Sequence, residues 1–448
     1  MLVTSYYFYM SWNPKYVVII LGTTVISYIA GLLVEKYDSK KIKKLILLST
    51  LFICLGVLFI FKYSIFTLNS LIGAASLFGL SMQPLTYRVM LPVGISFYTF
   101  QTISYVIDVY NKKIPAEKHF GIYATFVSFF PQLVAGPIER STNLLPQITS
   151  KKVFNYDKAI YGFRQILWGF FKKIAVADVL ATYVNRAYEK IDNCTGLDLS
   201  AAILLFTIQI YCDFSGYSDI AIGSAKLLGI DLTTNFLSPY FSTSVKEFWS
   251  RWHISLSTWF KDYVYIPLGG NRCTKLRNSF NLLVTFIVSG LWHGANWTYI
   301  FWGTLHGGVQ VFERITLGKR KKNTKNRFTK IVCWISVFIF INLAWVFFRA
   351  STISDAFLLL KRFFISFSNL HSFTGTNIGL GKKKRIYILI VISIISAFDY
   401  YSLKKDFIEK MKSMPTVVCF LIEYIILAFV LYTLYTGVNA NPFVYFQF

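Results

Sequence analysis

The sequence predicts an all-α polytopic membrane protein, because its residues are too apolar and too weakly charged for a soluble chain. Of its 448 residues, 55% are apolar and 15% are charged, whereas soluble domains carry about 25% charged residues. The mean hydropathy is +0.51. Aromatic residues reach 18%, a content that suits aromatic belts at the two membrane interfaces. A water-soluble enzyme, a disordered chain and a fibrous protein are therefore disfavoured.

Apolar runs are distributed over the whole chain, and a membrane-spanning helix needs about 20 such residues. In a bilayer the backbone must satisfy its own hydrogen bonds, so these runs are predicted to be helices. The candidate segments are 16–34, 44–61, 65–80, 89–107, 121–135, 160–184, 199–225, 279–300, 298–313, 331–348, 386–402 and 416–436. We expect one domain over residues 1–448 with about 11–13 membrane-embedded helices, some of them broken or re-entrant.

The basic residues stand in short clusters between the apolar runs and give a net charge of +25. The clusters lie at 36–44, 319–330 and 404–412, a distribution typical of cytoplasmic loops in membrane proteins. This charge indicates a lipid bilayer as the partner and not a nucleic acid. The six cysteines form no C-x-x-C motif, so we expect neither a metal site nor a disulfide framework.

One predicted helix carries a polar stripe on an apolar background. Gln101, Ser104, Tyr105 and Asp108 recur at i, i+3, i+4 and i+7 and so share one helical face. A polar face at membrane depth should point into the protein. Hydrogen bonding between helices and the lining of a cavity both remain open as its role.

Three helix-breaking residues, Pro131, Gly136 and Pro137, interrupt the next apolar segment. Proline removes a backbone donor and clashes with the preceding turn. A re-entrant element and a kinked span both fit this pattern, because the freed backbone groups must be buried in protein or hydrated.

Two acidic residues, Asp213 and Asp219, lie inside a long apolar run. A carboxylate at membrane depth is stable only when it is paired. Arg251 or Arg272 is the partner that we expect from the sequence, which does not choose between them. Buried ion pairing and proton handling both remain open as the function of these acids.

Residues 246–262 carry too much charge to span a membrane, yet their aromatic residues recur on one side of a predicted helix. The spacing predicts a helix that lies in the interface or packs inside a funnel, and His253 borders its apolar stripe. The stripe consists of Trp249, Trp252, Leu256, Trp259 and Phe260.

A histidine follows the apolar run 279–288 and comes near membrane depth. His293 stands between glycines, Gly290 and Gly294, that leave space around it. It is either a hydrogen-bonded core residue or a proton-transfer group, since imidazole exchanges protons near neutral pH. On a continuous helix His306 would face another way. The chain contains no G-x-S-x-G, Walker A, G-x-G-x-x-G or H-E-x-x-H motif.

These segments resemble the membrane-bound O-acyltransferase superfamily, and most of all the branch with the membrane subunit of bacterial alginate O-acetyltransferase. The best-matched core is 91–307, and the terminal NPFVYFQF also matches. The matching stretches are LPVGISFYTFQTISYVIDVY, FFPQLVAGPIER, YCDFSGYSDIAIG, NFLSPYFSTSVKEFWSRWHISLSTWFKDYVYIPLGGNR and LWHGANWTYIFWGTLHG.

The resemblance implies a central funnel or tunnel, with His293 of the WHG motif as the catalytic histidine and His253 of RWHISLS as the second. It also implies that an acyl group, expected to be acetyl, passes across a bacterial inner membrane from a cytoplasmic thioester. Acetyl-CoA or an acyl carrier would be the donor substrate, and no bound cofactor is expected. The residues expected to line the tunnel or support the histidines are Trp292, Trp252, Asn296, Gln101, Asp213 and Arg251.

Because the chain lacks a hydrolase motif, the resemblance implies an extracytoplasmic esterase-like acetyltransferase as partner and a polysaccharide as acceptor. One alternative is D-alanyl transfer to teichoic acid-type polymers, although those relatives usually lack the segment YIPLGGNR found at 265–272. A lipid-linked sugar transporter would also explain the many helices and the buried acids. It would not explain the Trp-His-Gly sequence beside a tryptophan-rich helix.

Overall fold

The computed structural model describes residues 1–80, 82–86, 90–134, 136–317, 326–365, 377–404, 406–437 and 443. Every regular element in these ranges is helical. Most of the basic segment 319–330 and most of the terminal NPFVYFQF lie outside the described residues. The helices are α1 (Leu2–Trp12), α2 (Val17–Lys36), α3 (Lys40–Leu58), α4 (Ser64–Ser76), α5 (Ile95–Tyr110), α6 (Phe120–Ser128), α7 (Phe130–Leu133), α8 (Ser141–Thr149), α9 (Tyr156–Phe170), α10 (Val179–Glu189), α11 (Gly196–Leu227), α12 (Val245–Arg251), α13 (Ile254–Phe260), α14 (Lys275–His293), α15 (Trp297–Leu317), α16 (Arg327–Arg349), α17 (Ile353–Ile365), α18 (Lys382–Ser402), α19 (Phe407–Lys410) and α20 (Thr416–Tyr435).

Six helical segments in the described residues are long and apolar enough to cross a membrane, and they confirm the polytopic all-α class. The other predicted membrane elements form shorter or more polar helices. Their number and the central funnel stay predictions. The six segments are Pro14–Lys36, Lys40–Ser76, Gly196–Leu227, Arg327–Arg349, Lys382–Ser402 and Thr416–Tyr435.

The chain forms two compact units, and the prediction of one domain over residues 1–448 stays a prediction. The first unit contains Met1–Ala159 and Ser224–Thr233, and the second contains Ile160–Gly223 and Thr234–Phe448.

In the first unit α5 is almost wholly enclosed, with 14 of its 16 residues buried. Its polar stripe bonds to neighbouring chain segments. Gln101 Nε2 donates to the carbonyl of Phe126 at 2.7 Å, and the hydroxyl of Tyr105 accepts from the backbone N–H of Glu117 at 2.9 Å. These bonds favour the interpretation of the stripe as a contact surface between helices.

The predicted interruption near Pro131 is confirmed. Helix α6 ends at Ser128, and the next residue, Phe129, has a ψ of 107°, which is not helical. Pro131 lies in the first turn of α7, where the missing N–H leaves no hydrogen bond unmade. The choice between a kinked span and a re-entrant element stays a prediction.

In the second unit α9 and α10 form one run through a π-helical segment, Phe171–Asp178. Helices α14 and α15 form an antiparallel pair, so 279–300 and 298–313 are two elements and not one bent one. Gly290 and Gly303 lie where the pair is closest: an added Cβ would meet the carbonyl oxygen of Tyr299 in the first case and of Phe286 in the second.

Candidate active site

The single helix predicted over 246–262 is wrong, because the chain breaks between α12 and α13 at His253. This residue is fully buried and adopts the left-handed region with φ of 43°. The break is held by the preceding loop: Leu237 N–H donates to Arg251 O, and Ile254 N–H donates to the carbonyl of Asn235, both at 3.0 Å. The turn thus points the imidazole into the protein instead of leaving it on a helix surface.

Asn235, which the sequence analysis missed, fixes the protonation of His253. Its Oδ1 accepts from the backbone N–H of Ser255 at 3.2 Å, and an N–H can only donate, so the amide orientation is determined. His253 Nδ1 lies 3.3 Å from the same oxygen and must therefore carry a proton. The neutral ring then holds its lone pair on Nε2.

His253 is also kept neutral by its surroundings. It lies outside the six candidate spans, and burial lowers the pKa of its imidazole to about 3, because a low dielectric disfavours the charged form. The ring of Phe214 stands 4.5 Å from it, edge to face. A neutral ring with Nδ1 protonated can accept a hydrogen bond at Nε2 but cannot donate one there, which argues against an oxyanion-binding role for this atom.

His293 is the last residue of α14 and is 3% exposed. Its ring lies edge to face against three aromatic rings. The distances between ring centres are 5.1 Å to Trp292, 5.1 Å to Trp302 and 5.4 Å to Phe348. The Trp292 ring is also 6.1 Å from that of His253. The two histidines singled out by the sequence thus share one tryptophan wall.

His306 joins the same aromatic cluster, although the sequence suggested that it would face another way. That expectation fails because α14 ends at His293 and α15 runs back antiparallel. The fully buried His306 lies 4.8 Å from the Trp302 ring, and its Nδ1 accepts from Trp249 Nε1 at 3.1 Å. Its proton is therefore on Nε2, the tautomer opposite to that of His253.

Trp252 joins the aromatic cluster through Trp345, whose ring centre lies 5.1 Å from that of Trp252 and 5.6 Å from that of Trp302. Asn296 and Arg251 make local structural contacts. Trp252 is fully buried and stacks on Phe248 at 5.4 Å. Asn296 Oδ1 accepts from Thr298 N–H at 3.1 Å, which holds the start of α15. Arg251 pairs with a glutamate one turn earlier on α12 at 2.7 Å. Their roles beside the histidines stay predictions.

The predicted partners of Asp213 and Asp219, Arg251 or Arg272, are wrong. Lys173 Nζ lies 2.7 Å from Asp213, and Lys172 pairs with Asp219. Both lysines belong to the π-helical segment, which turns two consecutive side chains inward, and both are buried. Asp213 precedes Phe214, so its ion pair fixes the helix that presents this ring to His253.

Gln101 belongs to the first unit, so its predicted role at the histidines stays a prediction. Among the described residues, no group of three or more His, Cys, Asp or Glu side chains could hold a metal ion.

Comparisons with known proteins identify the same family as the sequence motifs. The model of the membrane-bound O-acyltransferase family matches residues 118–353. The probable alginate O-acetylase AlgI of Pseudomonas aeruginosa is 38% identical over 85% of this chain and 73% of its own. The peptidoglycan O-acetyltransferase of Helicobacter pylori is 37% identical over 81% of this chain and 72% of its own length. The teichoic acid D-alanyltransferase of Streptococcus thermophilus is 29% identical over 59% of this chain and 67% of its own length.

The extent of these matches, together with the all-helical polytopic fold, determines the class of the protein. The family match covers more than half of the chain, and the two O-acetyltransferase relatives are matched over most of their own length. This chain belongs to the membrane-bound O-acyltransferase family and is a multi-pass membrane acyltransferase.

Proposed function

We propose that this chain transfers an acetyl group from a cytoplasmic thioester, such as acetyl-CoA or an acyl carrier, across a bacterial inner membrane. The acceptor is a hydroxyl of an extracytoplasmic partner protein or of a cell-surface polysaccharide. The observation that carries the proposal is the pair of buried histidines, His253 and His293, whose rings both lie close to that of Trp292. Two buried ionisable side chains close together in an otherwise aromatic cluster are candidates for a catalytic site.

In the proposed reaction His293 acts as general base. It takes the proton of the acceptor hydroxyl while the oxygen attacks the thioester carbonyl carbon. The C–S bond then breaks, and the leaving thiolate receives that proton. Positioned general-base catalysis contributes about 10²–10⁴ in rate. The aromatic rings around His293 exclude water and so protect the thioester from hydrolysis.

His253 has a different proposed task. Its Nε2 accepts a hydrogen bond from an N–H or O–H group of a bound substrate, and Asn235 keeps that atom unprotonated. Since His293 is 3% exposed, substrate entry requires movement of the aromatic side chains that cover it. The proposal therefore includes movement of the rings of Trp292 and Trp302, which lie against His293.

Acetyl is favoured over D-alanyl as the transferred group. The relatives named for O-acetylation match at 37–38% identity over 81–85% of this chain, whereas the D-alanyl-transferring relative matches at 29% over 59%. Alginate and peptidoglycan are the acceptors in the relatives' names, so a cell-envelope polysaccharide is the proposed final acceptor.

The proposed partner is an extracytoplasmic esterase-like acetyltransferase, because this chain has no hydrolase nucleophile motif of its own. Deleting genes for such proteins beside this one should abolish glycan acetylation. Acetylation that persists unchanged in the deletion strain would show direct transfer to the glycan and remove the partner from the proposal.

The central test replaces His293 by alanine and by glutamine and measures acetyl groups on cell-surface glycans by mass spectrometry. We expect a loss of about 10²–10⁴ in acetylation rate with the protein still monodisperse after extraction. His119→Asn is the matched control, because His119 is exposed and caps the start of α6 through Nδ1, a role that asparagine can keep. Acetylation close to wild type in both His293 variants would exclude His293 as the base.

A further inference from the structure

An apolar cavity of about 400 Å³ opens in the second unit, among α9, α18, α19 and α20. Stacked aromatic rings form part of its wall: Trp168 lies 4.1 Å from Phe398 and 5.2 Å from Phe171. Its volume falls within the range of about 300–1,000 Å³ that is usual for small-molecule sites. Further apolar side chains in the lining are Leu167, Ile394, Ala397, Ile425 and Phe429.

Two of the surrounding helices are candidate membrane spans, Lys382–Ser402 and Thr416–Tyr435. Only 22% and 17% of the residues in their most apolar windows are buried within the protein, respectively. Because these two spans line the cavity, we expect a molecule that fills it to come from the lipid phase. An apolar wall of this kind favours a hydrocarbon chain, since each buried CH₂ contributes about 0.8 kcal/mol.

Two hydrogen-bond donors lie in this otherwise apolar wall. Trp168 is 5% exposed, and its buried indole N–H has no acceptor among the described residues. Arg164 lies one turn earlier on α9, so the two side chains share a face. The guanidinium bonds through Nε to Glu423 at 2.7 Å, and it has four further N–H donors. A buried donor without an acceptor costs about 1–3 kcal/mol, so the wall favours a ligand with oxygen acceptors.

A lysine lies at the edge of the same cavity, whereas the lining arginine, Arg164, is paired with the lining carboxylate of Glu423. The ammonium of Lys410 lies 4.8 Å from the ring centre of Tyr401, which lines the cavity together with Ile408 and Met411 on either side of Lys410. Chains of a lipid reach such a cavity from the bilayer, and a cation at its edge favours an anionic head group.

We propose that this cavity binds one anionic diacyl phospholipid. An acyl chain fills the space along Phe171 and Phe398, an ester oxygen accepts from Trp168 Nε1, and the phosphate group lies near Arg164 and Lys410. The site is separate from the histidine pair and does not depend on the proposed transfer reaction.

The experiment measures lipid retained on the purified full chain by native mass spectrometry. The protein is reconstituted with phosphatidylglycerol, and a parallel sample receives the neutral phosphatidylcholine. Ala397→Trp fills the cavity from α18. Ile390→Trp is the matched control, because it adds the same ring to the same helix at a position that is 45% exposed and outside the lining. Trp168→Phe removes the donor but keeps the aromatic wall.

We expect one retained phosphatidylglycerol on the wild type and on Ile390→Trp, and none on Ala397→Trp. Trp168→Phe should weaken lipid retention about fivefold, because one net hydrogen bond contributes about 1 kcal/mol. This variant still tests the proposal if Ala397→Trp fails to fold. Equal retention by Trp168→Phe and the wild type would overturn the proposed donor. Equal retention of both lipids, or of phosphatidylglycerol by Ala397→Trp, would overturn the anionic lipid site.

Discussion

Replacing Asn235 by aspartate should make acyl transfer sensitive to acid. The carboxylate can accept the same hydrogen bonds from Ser255 that the amide oxygen accepts now. It also places a negative charge at the atom that lies 3.3 Å from His253 Nδ1. A nearby negative charge stabilises imidazolium and raises the pKa of the histidine.

The size of the effect follows from the geometry. Unit charges about 4 Å apart attract by about 4 kcal/mol at an effective dielectric constant of about 20. Since about 1.36 kcal/mol corresponds to one pKa unit, the pKa of His253 should rise from about 3 to about 6. A protonated Nε2 can no longer accept a hydrogen bond, so activity should fall as the pH decreases through that value.

The assay is acyl transfer by purified protein between about pH 5 and pH 8, expressed as the rate of the variant divided by that of the wild type. Titration of His293 cancels in this ratio. We expect a constant ratio above about pH 7 and a decrease of about tenfold per pH unit well below the raised pKa. Ser218→Ala removes the other side-chain neighbour of Asn235 without adding charge, so its ratio should not vary. A ratio for Asn235→Asp that stays constant over the whole range would refute the role of His253.

The remaining predictions concern stability. Gly290→Ala should destabilise the protein by about 1–3 kcal/mol, because its methyl group would meet the carbonyl of Tyr299. Gly308→Ala is the control, because an added methyl group there has nothing within 4 Å, and it should stabilise α15 by up to about 1 kcal/mol. Thermal unfolding measures both variants, and equal melting temperatures for the two would contradict the close approach of α14 and α15. Lys173→Met should destabilise by about 3–5 kcal/mol, because it leaves two buried carboxylates without their cation. Asp213→Asn should be milder, and the reverse order would contradict the ion-pair assignment.

The helices were largely predictable from hydropathy, because an apolar run at membrane depth can only close its hydrogen bonds as a helix. Thus the segment 199–225 corresponds to Gly196–Leu227, and 386–402 to Lys382–Ser402. The break at His253 was not predictable from its spacing. The aromatic stripe on either side has helical periodicity, and the left-handed turn depends on backbone bonds to Asn235 and Leu237 of the preceding loop.

The sequence predicted the site residues that lie in a recognisable motif. It did not predict the residues that only the folded chain brings beside them. The motif resemblance selected His293 and His253, whose roles stay predictions. It could not show Asn235, although this residue begins the quoted stretch NFLSPYF, because only the folded loop brings its amide to the imidazole. The lysine partner of Asp213 was hidden because the 3.6-residue period does not hold through Phe171–Asp178.

That π-helical stretch also affects how related sequences should be aligned. A π turn contains one residue more than the α-helical ladder requires, and one residue corresponds to about 100° of rotation around the helix axis. Removing a single residue there would rotate everything that follows on α10 relative to α9. Side chains of α10 that are now buried, such as Tyr183 and Val184, would then turn away from their present contacts. A one-residue gap at this position is therefore equivalent to a change of helix face and not to a neutral length difference.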